Sequence, residues 1–164
     1  MSTFDAAIGY VLKNEGGYSN ALHDHGGKTN FGITEREAIA HGFTIATLTL
    51  DQALSIYKHD YWKFDGVTDE RVATKMLDMV VNLGIGMRLI QRAAGVREDG
   101  VYGPKTEAAI NALDPDAALE KLSLAAGQHY VAICLHDHTQ LIFLRDWVGR
   151  AIERPPITYH PATT

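Results

Sequence analysis

The sequence has a single cysteine, Cys134, so no internal disulfide can form. With no CxxC pair and no Cys/His ladder, the common structural zinc frameworks are excluded as well. Long apolar runs are also missing. The longest charge-free stretch, Leu122 to His136, carries Ser123, Gly127, Gln128 and His129 and falls short of the ~20 apolar residues of a membrane-spanning helix. Positive charge is scarce: 15 Lys and Arg face 20 Asp and Glu, a net charge of −5 that supplies no basic field for nucleic acid. Before Lys13 the N-terminus has no cation, and glycine and tyrosine interrupt its apolar positions, which is not the pattern of a secretory signal.

What remains is an ordinary globular composition. Of 164 residues, 46% are apolar and 21% charged, enough to bury roughly 70% of the surface of the unfolded chain. Phe4, Ala7, Ile8, Val11 and Leu12 follow helical spacing and predict a helix over 3–15, with Ser2 and Asp5 offering a capping box. Gly16-Gly17 stops it, and Ser19 to Gly32 is a polar, glycine-rich stretch suited to turns and a short hairpin. Thr34 with Glu37 starts a helix that breaks at Gly42, and Thr49 opens another with Leu50, Ala53, Leu54, Tyr57 and Tyr61 on one face. Asp69 caps a core helix carrying Val72, Met76, Met79, Val80 and Leu83, ended by Gly84-Ile85-Gly86. From Met87 a helix, the turn at Arg97–Gly100 and a helix opened by Pro104 form a tight pair. Pro115 opens the next helix, and Leu141, Leu144, Val148 and Ile152 mark the last, with Thr139 as its cap.

The fold expected is mainly α, with at most a little strand in the first of two abutting lobes. It divides into a first lobe over 1–86, a second helical lobe over 87–154 and a flexible tail over 155–164.

Glu15 is the most informative residue, because it lies four after Val11, seven after Ile8 and eleven after Phe4, extending the apolar stripe. Burial and the negative end of the helix would both raise its pKa above the usual ~4.3, as a general acid requires. The plain alternative is a Glu that ends its helix and turns to solvent. Nine residues on, Asp24 can fold back to furnish the second carboxylate of a glycosidase, or can be an ordinary turn residue. Thr29 and Thr34 bring hydroxyls able to hold a water. Tyr57 reads as core, whereas Tyr61 and Trp62 either stack on sugar rings or pack inside. Asn82 either binds an N-acetyl group or caps its own backbone. The triplets His23–His25 and His136–His138 read as solvated surface, so no metal and no cofactor are expected.

Glu15-Gly16-Gly17-Tyr18-Ser19-Asn20, Asp24 and Gly26-Gly27-Lys28-Thr29-Asn30-Phe31-Gly32-Ile33-Thr34 together resemble the signature of glycoside hydrolase family 108. These are N-acetylmuramidases, many of them phage endolysins. The likeness continues through Tyr57, Tyr61-Trp62, Asp78 to Asn82, Gly84, Gln91, Asp99-Gly100, Gly103-Pro104, Thr106, Phe143 to Trp147 and Arg150. The resemblance implies a mainly α, α+β lysozyme-like fold whose lobe over 1–86 is catalytic, with Glu15 as catalytic acid, Asp24 as second carboxylate and Thr29 as the third residue, Thr34 being the other candidate. Residues 87–113 are similar to peptidoglycan-binding helical modules, although Asp-Gly and Gly-Pro also serve any tight turn between helices.

The expected activity is hydrolysis of the β-1,4 bond between N-acetylmuramic acid and N-acetylglucosamine, by a monomer acting on peptidoglycan glycan strands. Such a protein would be made in the cytoplasm and reach the cell wall by holin-type release or by secretion. The rival readings are a non-catalytic wall-binding or secretion-associated protein, and a metal-dependent wall amidase.

Overall fold

A computed structural model describes residues 3–15 and 29–156, with Asn14 and Glu15 described by their backbone alone. Eight α-helices are formed among these residues: α1 Thr3–Glu15, α2 Glu35–Ala40, α3 Leu50–Ile56, α4 Glu70–Asn82, α5 Gly86–Ala94, α6 Pro104–Asn111, α7 Pro115–His136 and α8 Leu144–Ile152. The lone described sheet is a two-stranded antiparallel hairpin, β1 Thr29–Asn30 and β2 Ile33–Thr34. This is the mainly α, lysozyme-like architecture expected.

Local chemistry sets most of the boundaries. Thr34 and Glu37 form the capping box of α2, and Thr49 with Gln52 forms that of α3. The Asp69 carboxylate accepts from the amides of Arg71 and Val72 to start α4. Pro104 and Pro115 open α6 and α7, where a missing N–H costs nothing.

Two elements depart from the expected pattern. After α3 the chain does not stop but widens into a π-helical turn, Tyr57–Tyr61. Thr139 is not the cap of the last helix. It lies in a 3-10 turn, His138–Phe143, where its hydroxyl donates to Asp137, and α8 begins only at Leu144. The Asp137 carboxylate caps the 3-10 turn, and α8 follows Phe143 without a side-chain cap.

α4 is the central rod: every residue from Val72 to Met79 is buried, and it packs against α1, α5 and α7. Phe4, Ala7, Ile8 and Val11 of α1 face it from one side, while Leu119, Leu122 and Ala126 of α7 complete the same core on the other. Gly86 is required where α5 leaves α4, since a Cβ there would lie 2.2 Å from the Met79 carbonyl oxygen.

The rod also carries two buried charges. Lys75 is 1% exposed and its Nζ donates to the carbonyls of Arg150 and Glu153 at 2.8 and 3.0 Å. Burial pushes this ammonium below the usual lysine range, with Asp78 opposing. Asp78, also buried, accepts from the Arg150 guanidinium at 2.9 and 3.2 Å. Together they bolt α8 onto α4. Stacking of Trp147 between Tyr130 and Phe143 fixes α8 to α7. Of the expected tail, Pro155 and Pro156 are described and Pro155 is buried.

Candidate active site

Glu15 is the last residue of α1, the helix whose Phe4–Val11 stripe is buried against α4, so its backbone position is tied to the core of the protein. Its side chain, and Asp24 with its flanking His23 and His25, lie outside the described residues.

The chain re-enters at the hairpin. Thr29 pairs with Thr34 and Asn30 with Ile33, so strand alternation places the two threonines on one face and Asn30 with Ile33 on the other. The second pair is buried: Asn30 donates from Nδ2 to the carbonyls of Ile45 and Leu48, and Ile33 enters the core. The turn between them uses positive φ at Phe31 (52°) and Gly32 (76°), the form that matches strand twist in a two-residue hairpin. Tyr57 Oη donates to the Phe31 carbonyl at 2.9 Å and pins the turn to the π-helical segment.

The two candidate threonines are thereby separated. Thr34 Oγ1 donates to Glu37 Oε2 at 2.6 Å and accepts from the Glu37 amide at 3.3 Å, so its hydroxyl is engaged in capping α2. Thr29 is half-buried and its hydroxyl makes no side-chain hydrogen bond among the described residues. Glu37 is closed off as well, because Tyr61 Oη donates to its other oxygen in a short contact.

The aromatic candidates also divide. Tyr61 is half-buried at the end of the π-helical turn, beside Tyr57. Trp62, expected as a possible sugar platform, is instead core. It is 5% exposed, meets Phe4 and Phe64 edge to face, and donates its indole N–H to Asp65 at 2.7 Å. Burying its rings against two phenylalanines leaves no open face for a saccharide. Asn82 ends α4 and turns its amide back to the Asp78 carbonyl at 2.7 Å, the self-capping option, while staying half-buried.

Residues 8–84 match the family described as Glycosyl hydrolase 108, and residues 85–152 match the one described as Predicted Peptidoglycan domain. The fold is similar to that in "Structure of Brucella abortus SagA", at 30% sequence identity and a TM-score of 0.76, covering 91% of this chain and 89% of that one. The chain belongs to the glycosyl hydrolase 108 family. No curated protein sequence matches. This family member is a glycoside hydrolase that acts on peptidoglycan, and no helix among its described residues is long and apolar enough to cross a membrane.

In the C-terminal part of this glycosyl hydrolase 108 protein, the motif residues prove to be joinery. Gln91 is buried and its Nε2 donates to the Asp99 carboxylate at 2.7 Å and the Val101 carbonyl at 3.0 Å, while its Oε1 accepts from the Gly100 amide at 2.8 Å. The Val101 amide and then Gln91 hold the Asp99 carboxyl below its usual range. Beside this clamp opens a cleft of about 440 Å³, with Arg97, Val101, Lys105 and Thr106 in its wall. A larger apolar groove of about 670 Å³ runs between α7 and α8, where the described residues lining it include Leu124, Val131, Leu135 and Ile152.

Sequence reading missed the buried Lys75, the Tyr61–Glu37–Thr34 chain and a cluster of His41, His59 and Asp60. The available signals were a lysine inside an apolar helical face and a glutamate that serves as both cap and acceptor.

Proposed function

We propose that the protein is an N-acetylmuramidase that cleaves the β-1,4 bond between N-acetylmuramic acid and N-acetylglucosamine, with Glu15 as general acid. The support lies in the family membership of residues 8–84, which contain both carboxylates and the hairpin. The single observation that favours the assignment of the third residue is that Thr34 is committed to its helix cap while Thr29, directly opposite, has a hydroxyl free to hold water.

Glu15 donates its proton to the leaving glycosidic oxygen as the C–O bond breaks. Asp24, ionised, stabilises the oxocarbenium-like charge that develops, and with Thr29 it positions the attacking water. Tyr61 and Asn82 are the proposed contacts to the sugar. The C-terminal lobe is proposed to hold the wall polymer, with the cleft beside Gln91 as its contact surface.

The bond is identified by its product ends. Digested peptidoglycan is reduced with borohydride and analysed by mass spectrometry, and the reading requires reduced muramic acid at the new termini. Reduced N-acetylglucosamine or freed stem peptides would identify a glucosaminidase or an amidase instead.

A further inference from the structure

We propose that His41, His59 and Asp60 form a binding site for one borderline divalent transition-metal ion of the Zn²⁺ class, on the face of the lobe where α2 ends beside the π-helical turn. The three side chains offer ligand atoms that all lie within 4.8 Å of one another. His41 Nε2 is 2.9 Å from one Asp60 oxygen and His59 Nδ1 is 2.6 Å from the other, while the two imidazole rings stand 5.3 Å apart, edge to face. Tetrahedral bonds of ~2.0–2.1 Å space their ligand atoms by about 3.3 Å, so small side-chain torsions admit the ion. Water would complete its coordination.

The donor set decides the class of ion. Two imidazoles and one carboxylate suit Zn²⁺, Co²⁺, Ni²⁺ or Cu²⁺ and do not suit Mg²⁺ or Ca²⁺, which take oxygen. Among the described residues, Asp60 pairs with His41 and His59 and with no lysine or arginine. Lys58 lies over the Phe4 ring at 5.6 Å and Lys63 Nζ donates to the His59 carbonyl at 3.0 Å. The π-helical turn is the second observation. A widened turn is an uncommon local choice, frequent at functional sites, and this one presents His59 and Asp60 together toward His41, which is distant in sequence.

The ion would act as a staple. α2 is already held to this turn by the Tyr61–Glu37 hydrogen bond, and the metal would add a second tie at His41. It takes no part in the two-carboxylate chemistry proposed above.

The test uses the full chain without a histidine tag. Zn²⁺ is titrated calorimetrically and Co²⁺ by visible absorption, and melting is followed with Zn²⁺ present. One equivalent is expected to bind. Melting should rise by roughly 5–10 °C at a hundredfold excess over Kd. His59→Ala, whose side chain is 77% exposed and so cannot compromise the fold, should weaken binding at least about tenfold, as should His41→Ala. A paired His136→Ala/His138→Ala variant, and one at His23 and His25, should bind like the wild type. No binding, binding unchanged in His59→Ala, or binding lost only in the paired variants would each overturn the proposal.

Discussion

Replacing Asp78 by Asn tests whether charges inside α4 hold the two matched parts of the chain together. Asp78 lies in the segment that matches the hydrolase family and Arg150 in the segment that matches the peptidoglycan domain, and the pair sits 2.9 Å apart with Asp78 only 5% exposed. Asn preserves shape but leaves Lys75 and Arg150 without the carboxylate between them. Removing one partner of a buried pair costs roughly 3–5 kcal/mol. Arg150 keeps 22% of its side chain exposed, and access to water puts the expected loss near 3 kcal/mol. For a chain of this size melting should fall by roughly 6–12 °C.

The pH dependence has a fixed sign. Burial depresses the folded-state pKa of Lys75 below its unfolded value of 10.5. Between those two values the unfolded chain holds more protons, so stability rises with pH. Asp78 works against that depression. Its loss lowers the Lys75 pKa further and carries the window toward neutrality, so the deficit of Asp78→Asn should shrink as pH rises from 7 to 10. Urea denaturation followed by circular dichroism at several pH values measures both effects. A loss below about 1 kcal/mol at pH 7, or a deficit that grows with pH, would refute the reasoning.

Three further outcomes are expected. Thr34→Val should cost about 1 kcal/mol of stability through the lost cap, whereas Thr29→Val should leave melting nearly unchanged and slow wall lysis. The opposite pattern would exchange their roles. Trp62→Ala should destabilise by roughly 3–5 kcal/mol as a core deletion, and a folded, fully stable variant with weakened saccharide binding would return Trp62 to the sugar site. Gly86→Ala forces a methyl group onto the Met79 carbonyl and should cost at least ~1–3 kcal/mol in thermal unfolding, while unchanged melting would show that α5 can shift freely.

The features legible in the sequence were those settled within four residues. The Thr34–Glu37 box, the Asp69 cap and the prolines at 104 and 115 fix helix starts locally, and they stand where spacing put them. The π-helical turn did not announce itself, because Tyr57 and Tyr61 continue the helical pattern and the widening comes with distant contacts, such as the Tyr57 bond to Phe31. Trp62 was ambiguous for the same reason. Whether an aromatic faces a ligand or a phenylalanine depends on Phe4, far away in sequence. Thr29 ranked ahead of Thr34 in the sequence, and Thr34 already read as a helix cap; the hairpin register that sets the two opposite each other is what spacing alone did not supply. The family resemblance was carried by the signature around Glu15 and Asp24, whereas Gln91, Asp99 and Thr106 marked a structural clamp.

The account depends most on Glu15 as proton donor. Lysis of purified cell walls by Glu15→Gln, compared with wild type at equal concentrations of folded protein, measures this directly. A fall of ~10²–10⁴-fold with unchanged melting is the predicted result; a rate close to that of the wild type would contradict the mechanism.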